Sequence, residues 1–244
     1  GDEQSDYTVK YANSAIVDYT AYYYDVSGVA IRANANTTVN ARMSLSHTTK
    51  TAVAATSAAE PNTKSITSYA GSVGNEQSDI TTKYSGTTAV DYTYYYYGAA
   101  NDKAGDTVNT AMTISQTQST LARPTTAGTA DPQTKSITRY LGTVGNEQSD
   151  MTTKFAGTTA IDYTHYYYGA TKARAGSAAA VNAPMTISQT QKTQARPAAE
   201  AISPDTKSIT YYKGNAPGDE QSDYTVKYAN SAIVDYTAYY YDVS

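Results

Sequence analysis

The chain repeats itself, and that constrains its fold more than any other feature. The hexapeptide GDEQSD opens at Gly1 and again at Gly218, and GNEQSD opens at Gly74 and Gly145. The spacings are 73, 71 and 73 residues, so three full repeats (1–73, 74–144, 145–217) precede a partial fourth, 218–244. Near-copies at a fixed period build arrays in which one small unit recurs and finishes its core against its neighbours. Residues 218–244 match 1–27 at every position, whereas the first two repeats agree at only 15 of those 27 positions. The fourth copy is therefore of the first repeat's type. Two readings stay open: a longer array with a unit of 217 residues, which is favoured, or a terminal self-complementing segment. The chain starts at Gly1 with no Met, which suggests a processed product or a fragment.

Within each repeat, polar and apolar residues alternate with period two, the mark of a half-buried hairpin. Pairing Asp6–Tyr11 with Val17–Tyr24 sets Tyr7 opposite Ala21, Val9 opposite Tyr19 and Tyr11 opposite Val17. The same register sets Tyr84 opposite Val90 and Phe155 opposite Ile161. Asn13, Gly86 and Gly157 share one turn position, which suits positive φ. Third strands are expected at Val39–Ser46, Val108–Ser115 and Val181–Ser188, and fourth strands at Lys64–Tyr69, Lys135–Tyr140 and Lys207–Tyr212. Helical periodicity is absent. The expectation is an all-β chain of tandem four-stranded modules of about 72 residues. Such modules are sandwich-like or stacked sheets, completed by strand or hairpin sharing between repeats or chains. Large aliphatic residues are thin, so a module of this size is marginal alone.

A net charge of −4 and a pI near 5.1 argue against nucleic acid or an anionic membrane as partner, since both need a basic face. No apolar run approaches the length of a membrane span. With no Cys, disulfides and thiolate chemistry are excluded.

Four kinds of residue are candidates for chemistry. Asp2, Glu3 and Asp6, with Glu76, Asp79, Glu147, Asp150, Glu220 and Asp223, place oxygen ligands at each repeat start, and Ca²⁺ is the cofactor they suit. Their spacing is not that of a D-x-D-x-D loop, so a polar turn that caps backbone groups is the favoured reading. Lys10/Asp18, Lys83/Asp91, Lys154/Asp162 and Lys227/Asp235 fall opposite one another as cross-strand ion pairs. Asn36 begins the single N-glycosylation sequon. Finally, the chain has 26 Tyr but one Phe and no Trp. In DYTYYYYG, Asp91 to Gly98, rings point to both faces of one strand. One row, Tyr22/Tyr24, Tyr95/Tyr97, Tyr166/Tyr168 and Tyr239/Tyr241, emerges on the polar side. A neighbouring repeat or chain is expected to cover that row; rings left open would instead suit sugar stacking. His47 and His165 occupy different repeat positions, and no nucleophile-elbow, dinucleotide or P-loop motif appears, so no enzyme is expected.

The tandem hexapeptides, the Thr/Ala/Tyr-rich strands and the absence of Cys resemble the repetitive microbial surface proteins of extracellular fibres, sheaths and adhesin stalks. That class-level resemblance implies a secreted structural protein at the cell surface, polymerising with itself through sheet edges or hairpins. A carbohydrate-binding adhesin that uses the tyrosine rows on glycans is the alternative, and a three-fold lectin-like domain a third.

Overall fold

The computed structural model describes residues 4–12, 14–35, 40–107 and 109–241. The protein is all-β: among the described residues there are seventeen strands and one short 3-10 turn at Ala33–Ala35. No helix is long and apolar enough to cross a membrane. Two compact units divide the chain, Gly1–Asn109 with Thr117–Thr125, and Thr110–Gln116 with Thr126–Tyr241.

Unit 1 holds β1 (Tyr7–Ala12), β2 (Ala15–Val26), β3 (Val29–Arg32), β4 (Met43–Thr49), β5 (Thr63–Ala70), β6 (Gln77–Ser85), β7 (Thr88–Tyr97) and β8 (Asp102–Lys103). It is an antiparallel meander, β1 to β2, β2 to β4, then β4, β5, β6 and β7 in turn. The short β3 and β8 pair with the far ends of β2 and β7. Unit 2 opens with β9 (Met112–Gln118), which pairs with β10 (Thr134–Leu141). It continues through β11 (Gln148–Ala156), β12 (Thr159–Tyr168), β13 (Ala173–Arg174), β14 (Met185–Gln191), β15 (Thr206–Lys213), β16 (Gln221–Ala229) and β17 (Ala232–Ala238). The pairing is the same, with β13 as the short branch on β12. Repeat boundaries fall between β5 and β6, β10 and β11, and β15 and β16, and all three pairs are ordinary antiparallel ladders. Within each unit the sheet therefore runs across the repeat boundary without a break.

The hairpin register holds at Lys10↔Asp18, Lys83↔Asp91 and Lys154↔Asp162, then slips by one. Tyr11 faces Ile16, Tyr84 faces Ala89 and Phe155 faces Ala160, not the expected Val17, Val90 and Ile161. The turn explains the slip. Two-residue loops close the hairpins, with φ of +63° at Gly86 and +60° at Gly157, and +47° and +68° at Asn230 and Ser231. These are the primed turns that match strand twist. A loop that short forces one extra residue into the second strand as a bulge. Asn13, the first repeat's counterpart, lies outside the described residues.

The third strands also begin later than expected, at Met43, Met112 and Met185. They run on through Ser-His-Thr-Thr or Ser-Gln-Thr-Gln, past the expected ends at Ser46, Ser115 and Ser188. Here His47, Gln116 and Gln189 are buried and bonded to the loops. Among the described residues His47 bonds the Thr56 carbonyl (2.9 Å) and Thr63 Oγ1 (2.7 Å). Gln116 bonds the Thr129 carbonyl and the Gly128 N–H, and Gln189 the Ala201 carbonyl and the Glu200 N–H. Each side chain pins the loop that follows its strand onto the sheet. The expected second sheet is replaced by these loops. Tyr23 and Ala21 pack against Ala54 of one such loop, and Tyr168 packs against Ala175 and Ala180 of the loop on the other face.

The second face carries threonine ladders. Oγ1 pairs run Thr20–Thr48, Thr67–Thr81 and Thr93–Thr117 in unit 1, and Thr138–Thr152, Thr164–Thr190 and Thr210–Thr225 in unit 2, all at 2.8–3.0 Å. β-Branched hydroxyl residues suit this role, since they favour strands and bond across them.

Candidate functional site

The residues that sequence singles out meet at the repeat starts. Each position of G-x-E-Q-S-D has a separate partner. The Glu reaches back about half a repeat: Glu76 Oε1 accepts from Met43 N–H (3.0 Å), Glu147 from Met112 (3.1 Å) and Glu220 from Met185 (2.8 Å). It thereby caps the third strand of the preceding repeat. The Gln holds a loop of its own repeat, as Gln148 Nε2 does on the Ala180 carbonyl at 2.7 Å. The Ser carbonyls of Ser5, Ser78 and Ser149 accept the hydroxyls of Tyr24, Tyr97 and Tyr168 at 2.8–2.9 Å. The Asp takes an arginine. Asp6 is bidentate to Arg32 (2.9 and 2.5 Å), and Asp79 binds Arg123. Asp150 is bidentate to Arg174 (2.7 Å each) and also binds Arg196 (2.6 Å). Glycine precedes the motif because a Cβ at Gly71 or Gly142 would run into the carbonyl of Asn75 or Asn146.

These carboxylates hold backbone and guanidinium groups. Asp6, Glu76, Asp79, Glu147, Asp150 and Glu220 each have such a partner, Asp223 meets the Lys213 ammonium, and Asp2 and Glu3 lie outside the described residues. Among the described residues no three His, Asp or Glu side chains gather as a metal site. Asn36 also lies outside them.

In the third repeat the inner member of the tyrosine row, Tyr168, is covered from within its own repeat, where a neighbouring repeat or chain was expected. Tyr24 is 8 % exposed, and Tyr97 and Tyr168 are equally buried. Over Tyr168 lie Ala175, Ala180 and Ala183, from the loop that follows its own strand. Hydroxyls of the outer members bond the threonine ladder: Tyr22 to Thr8 (3.2 Å), Tyr95 to Thr81 (3.0 Å), Tyr166 to Thr152 (2.9 Å) and Tyr239 to Thr225 (3.4 Å). Burial pushes the pKa of Tyr24, Tyr166 and Tyr168 up. Tyrosine rather than phenylalanine is needed because these hydroxyls satisfy backbone carbonyls and Thr hydroxyls beneath a loop. The inner rings Tyr24, Tyr97 and Tyr168 are buried, Tyr22, Tyr95 and Tyr166 are half-buried, and Tyr239 and Tyr241 of the partial repeat are exposed.

Two of the four Lys–Asp pairs are rearranged. Lys10 and Asp18 are register partners, yet Asp18 binds Lys64 of β5 at 2.9 Å. Likewise Asp162 binds Lys207 of β15, not Lys154. Lys83 and Asp91 are register partners on β6 and β7. The expected cross-strand bond forms at Lys227–Asp235 (2.8 Å), where no fourth strand follows among the described residues. The fourth-strand lysine, missed from sequence, outcompetes the neighbour in the hairpin.

His165 occupies the position held by Ala21 and Tyr94 in the other repeats. It is 1 % exposed, and neither ring nitrogen has a hydrogen-bond partner. Burial, and then the Arg196 guanidinium, push its pKa down to about 4. It is therefore a neutral packing residue at pH 7. No model of a known protein family matches the chain, and no curated protein matches it.

Proposed function

We propose that the chain is a structural protein of an extracellular microbial filament, sheath or surface fibre, assembling with itself through its tandem β repeats. One observation carries this reading: the same 27-residue hairpin occurs twice, and each copy has paired the edge that the other leaves open. β2 is joined to β3 and β4, while its copy β17 has no strand on its outer side among the described residues. Conversely β16 is joined to β15, while its copy β1 has no strand on its outer side. A hairpin that pairs on either edge in a fixed register is a connector of sheet to sheet. On the open copy Tyr236 is exposed, whereas its counterpart Tyr19 is half-buried. Tyr236 already ends a stack with Tyr224 (5.3 Å) and Tyr211 (4.4 Å).

The polar side chains of the motif are engaged in holding strands and loops, which suits a non-enzymatic role. Placement outside the cell rests on composition: no Cys and an abundance of Thr, Ala and Tyr. Electron microscopy of the purified chain tests the proposal. Filaments that lengthen with concentration are expected, and Ile233→Lys with Tyr236→Lys on the exposed edge should abolish them. Monodisperse particles at every concentration would overturn it.

A further inference from the structure

A second feature lies on the threonine face and is independent of assembly. In unit 2 an open cleft of about 630 Å³ is lined by Lys154, Lys192, Lys207 and Lys227, with Asp162 and Tyr228. Four cations converge there in a chain whose net charge is −4. The carboxylates nearby are already engaged, Asp162 by Lys207 and Asp235 by Lys227. Lys154 and Lys192 have no carboxylate partner among the described residues; the Lys192 ammonium donates to the Pro204 carbonyl at 3.1 Å. Both side chains are exposed.

The same set recurs in unit 1. Lys10, Lys50, Lys64 and Lys83 hold the equivalent repeat positions, with Asp18 bound to Lys64 and Tyr84 in the place of Tyr228. The repeat between them departs from it, with Ser119 at the Lys50/Lys192 position and Phe155 at the Tyr84/Tyr228 position.

We infer that this cleft, with the equivalent lysine set of unit 1, binds an extended, sparsely charged polyanion, namely an acidic polysaccharide bearing carboxylates. Length is the first argument. Lys154 and Lys227 stand on β11 and β16, four ladder steps apart, or about 19 Å at strand spacing. No single small anion spans that distance. Charge density is the second. A densely charged nucleic acid needs a strongly basic face, and this protein has a pI near 5.1. A carboxylated sugar chain carries fewer charges, and its hydroxyls meet Thr190, Ser208 and Thr225 along the cleft floor. Lysines act as point charges and require no fixed fork, which suits a flexible chain.

Affinity electrophoresis of the full chain through gels holding polygalacturonate tests this, with neutral dextran as the blank. Retardation by polygalacturonate alone is expected, weakening with salt. Lys154→Gln with Lys192→Gln should weaken binding about fivefold, two surface charges' worth. Adding Lys10→Gln and Lys50→Gln should abolish it, while Lys103→Gln, outside both lysine sets, leaves it unchanged. Unaltered far-ultraviolet circular dichroism would show that the variants fold. Absence of retardation, or retardation that survives the quadruple variant, would overturn the inference. So would equal competition by RNA or polyphosphate, which would mean that the lysine sets read charge alone.

Discussion

Residues 1–27 and 218–244 have one sequence and two structures. In the first copy the second strand runs twelve residues, Ala15–Val26; in the second it stops after seven, at Ala238. Tyr23 is 3 % exposed and its counterpart Tyr240 is 92 % exposed; Tyr24 is 8 % exposed and Tyr241 46 %. The reverse holds for the first strand. Thr225 and Val226 are buried against β15, while Thr8 and Val9 are more open. Strand propensity is identical in the two copies, so it decides neither the length of the strand nor its core. Partners decide: β3, β4 and their loops for one copy, β15 for the other. A run of tyrosines becomes core only when the rest of its repeat lies over it.

The aspartate of the hexapeptide offers the largest way to sharpen that contrast. Asp150 is buried between Arg174 and Arg196, whereas Asp223 meets the exposed Lys213 at 3.1 Å. Asp150→Ala leaves two guanidinium groups without their carboxylate and should cost about 3–5 kcal/mol in denaturant unfolding. Asp223→Ala should cost about 0.5 kcal/mol or less. Equal losses at the two sites would break the distinction between closed and open repeats.

Next in size is acid sensitivity. His165 is neutral and buried, with its folded pKa depressed to about 4. Arg196 and Arg174 oppose its protonation and Asp150 favours it, burial being the largest effect. The unfolded imidazole takes a proton near pH 6.5, so stability is complete above that pH and falls as the pH drops toward 4. The loss by pH 4 is about 3 kcal/mol. His165→Tyr, the residue that repeat two carries as Tyr94, should remove this slope from the pH dependence of the unfolding midpoint. An unchanged slope in the variant would show that the acid response comes from elsewhere.

A smaller difference separates the tyrosines. Tyr168→Phe deletes a buried bond to the Ser149 carbonyl and should cost about 1–2 kcal/mol. Tyr241→Phe, on the exposed copy, should change stability by about 0.5 kcal/mol at most. Thermal melting of the two variants side by side measures it.

Much of the hairpin was legible in the sequence. Alternation and the repeated Lys and Asp positions are local signals, and they set the register as far as Lys10↔Asp18. The bulge beyond that point was not legible, because it depends on how few residues the turn needs. Strands β4, β9 and β14 run about three residues past their expected ends, because His47, Gln116 and Gln189 hold loop partners that the alternation does not show. The hexapeptide was recognisable as the repeat marker, but its roles were hidden by distance. Glu147 acts on Met112, 35 residues earlier, and Asp150 on Arg196, 46 residues later. Period-two patterning carries no information about such partners. The fourth-strand lysines that capture Asp18 and Asp162 were missed in the same way, since they stand about 45 residues from their carboxylates.

The identity of the two copies also supplies the most direct test of assembly. Peptides from 18–24 and 235–241 have the same mass, so hydrogen exchange reads both in one isotope envelope. In dilute protein that envelope should be bimodal, slow for the copy joined to β3 and β4 and fast for the open one. On association through the β17 edge it should merge into a single slow population as concentration rises. An envelope that stays bimodal at every concentration would contradict a hairpin that joins one sheet to the next.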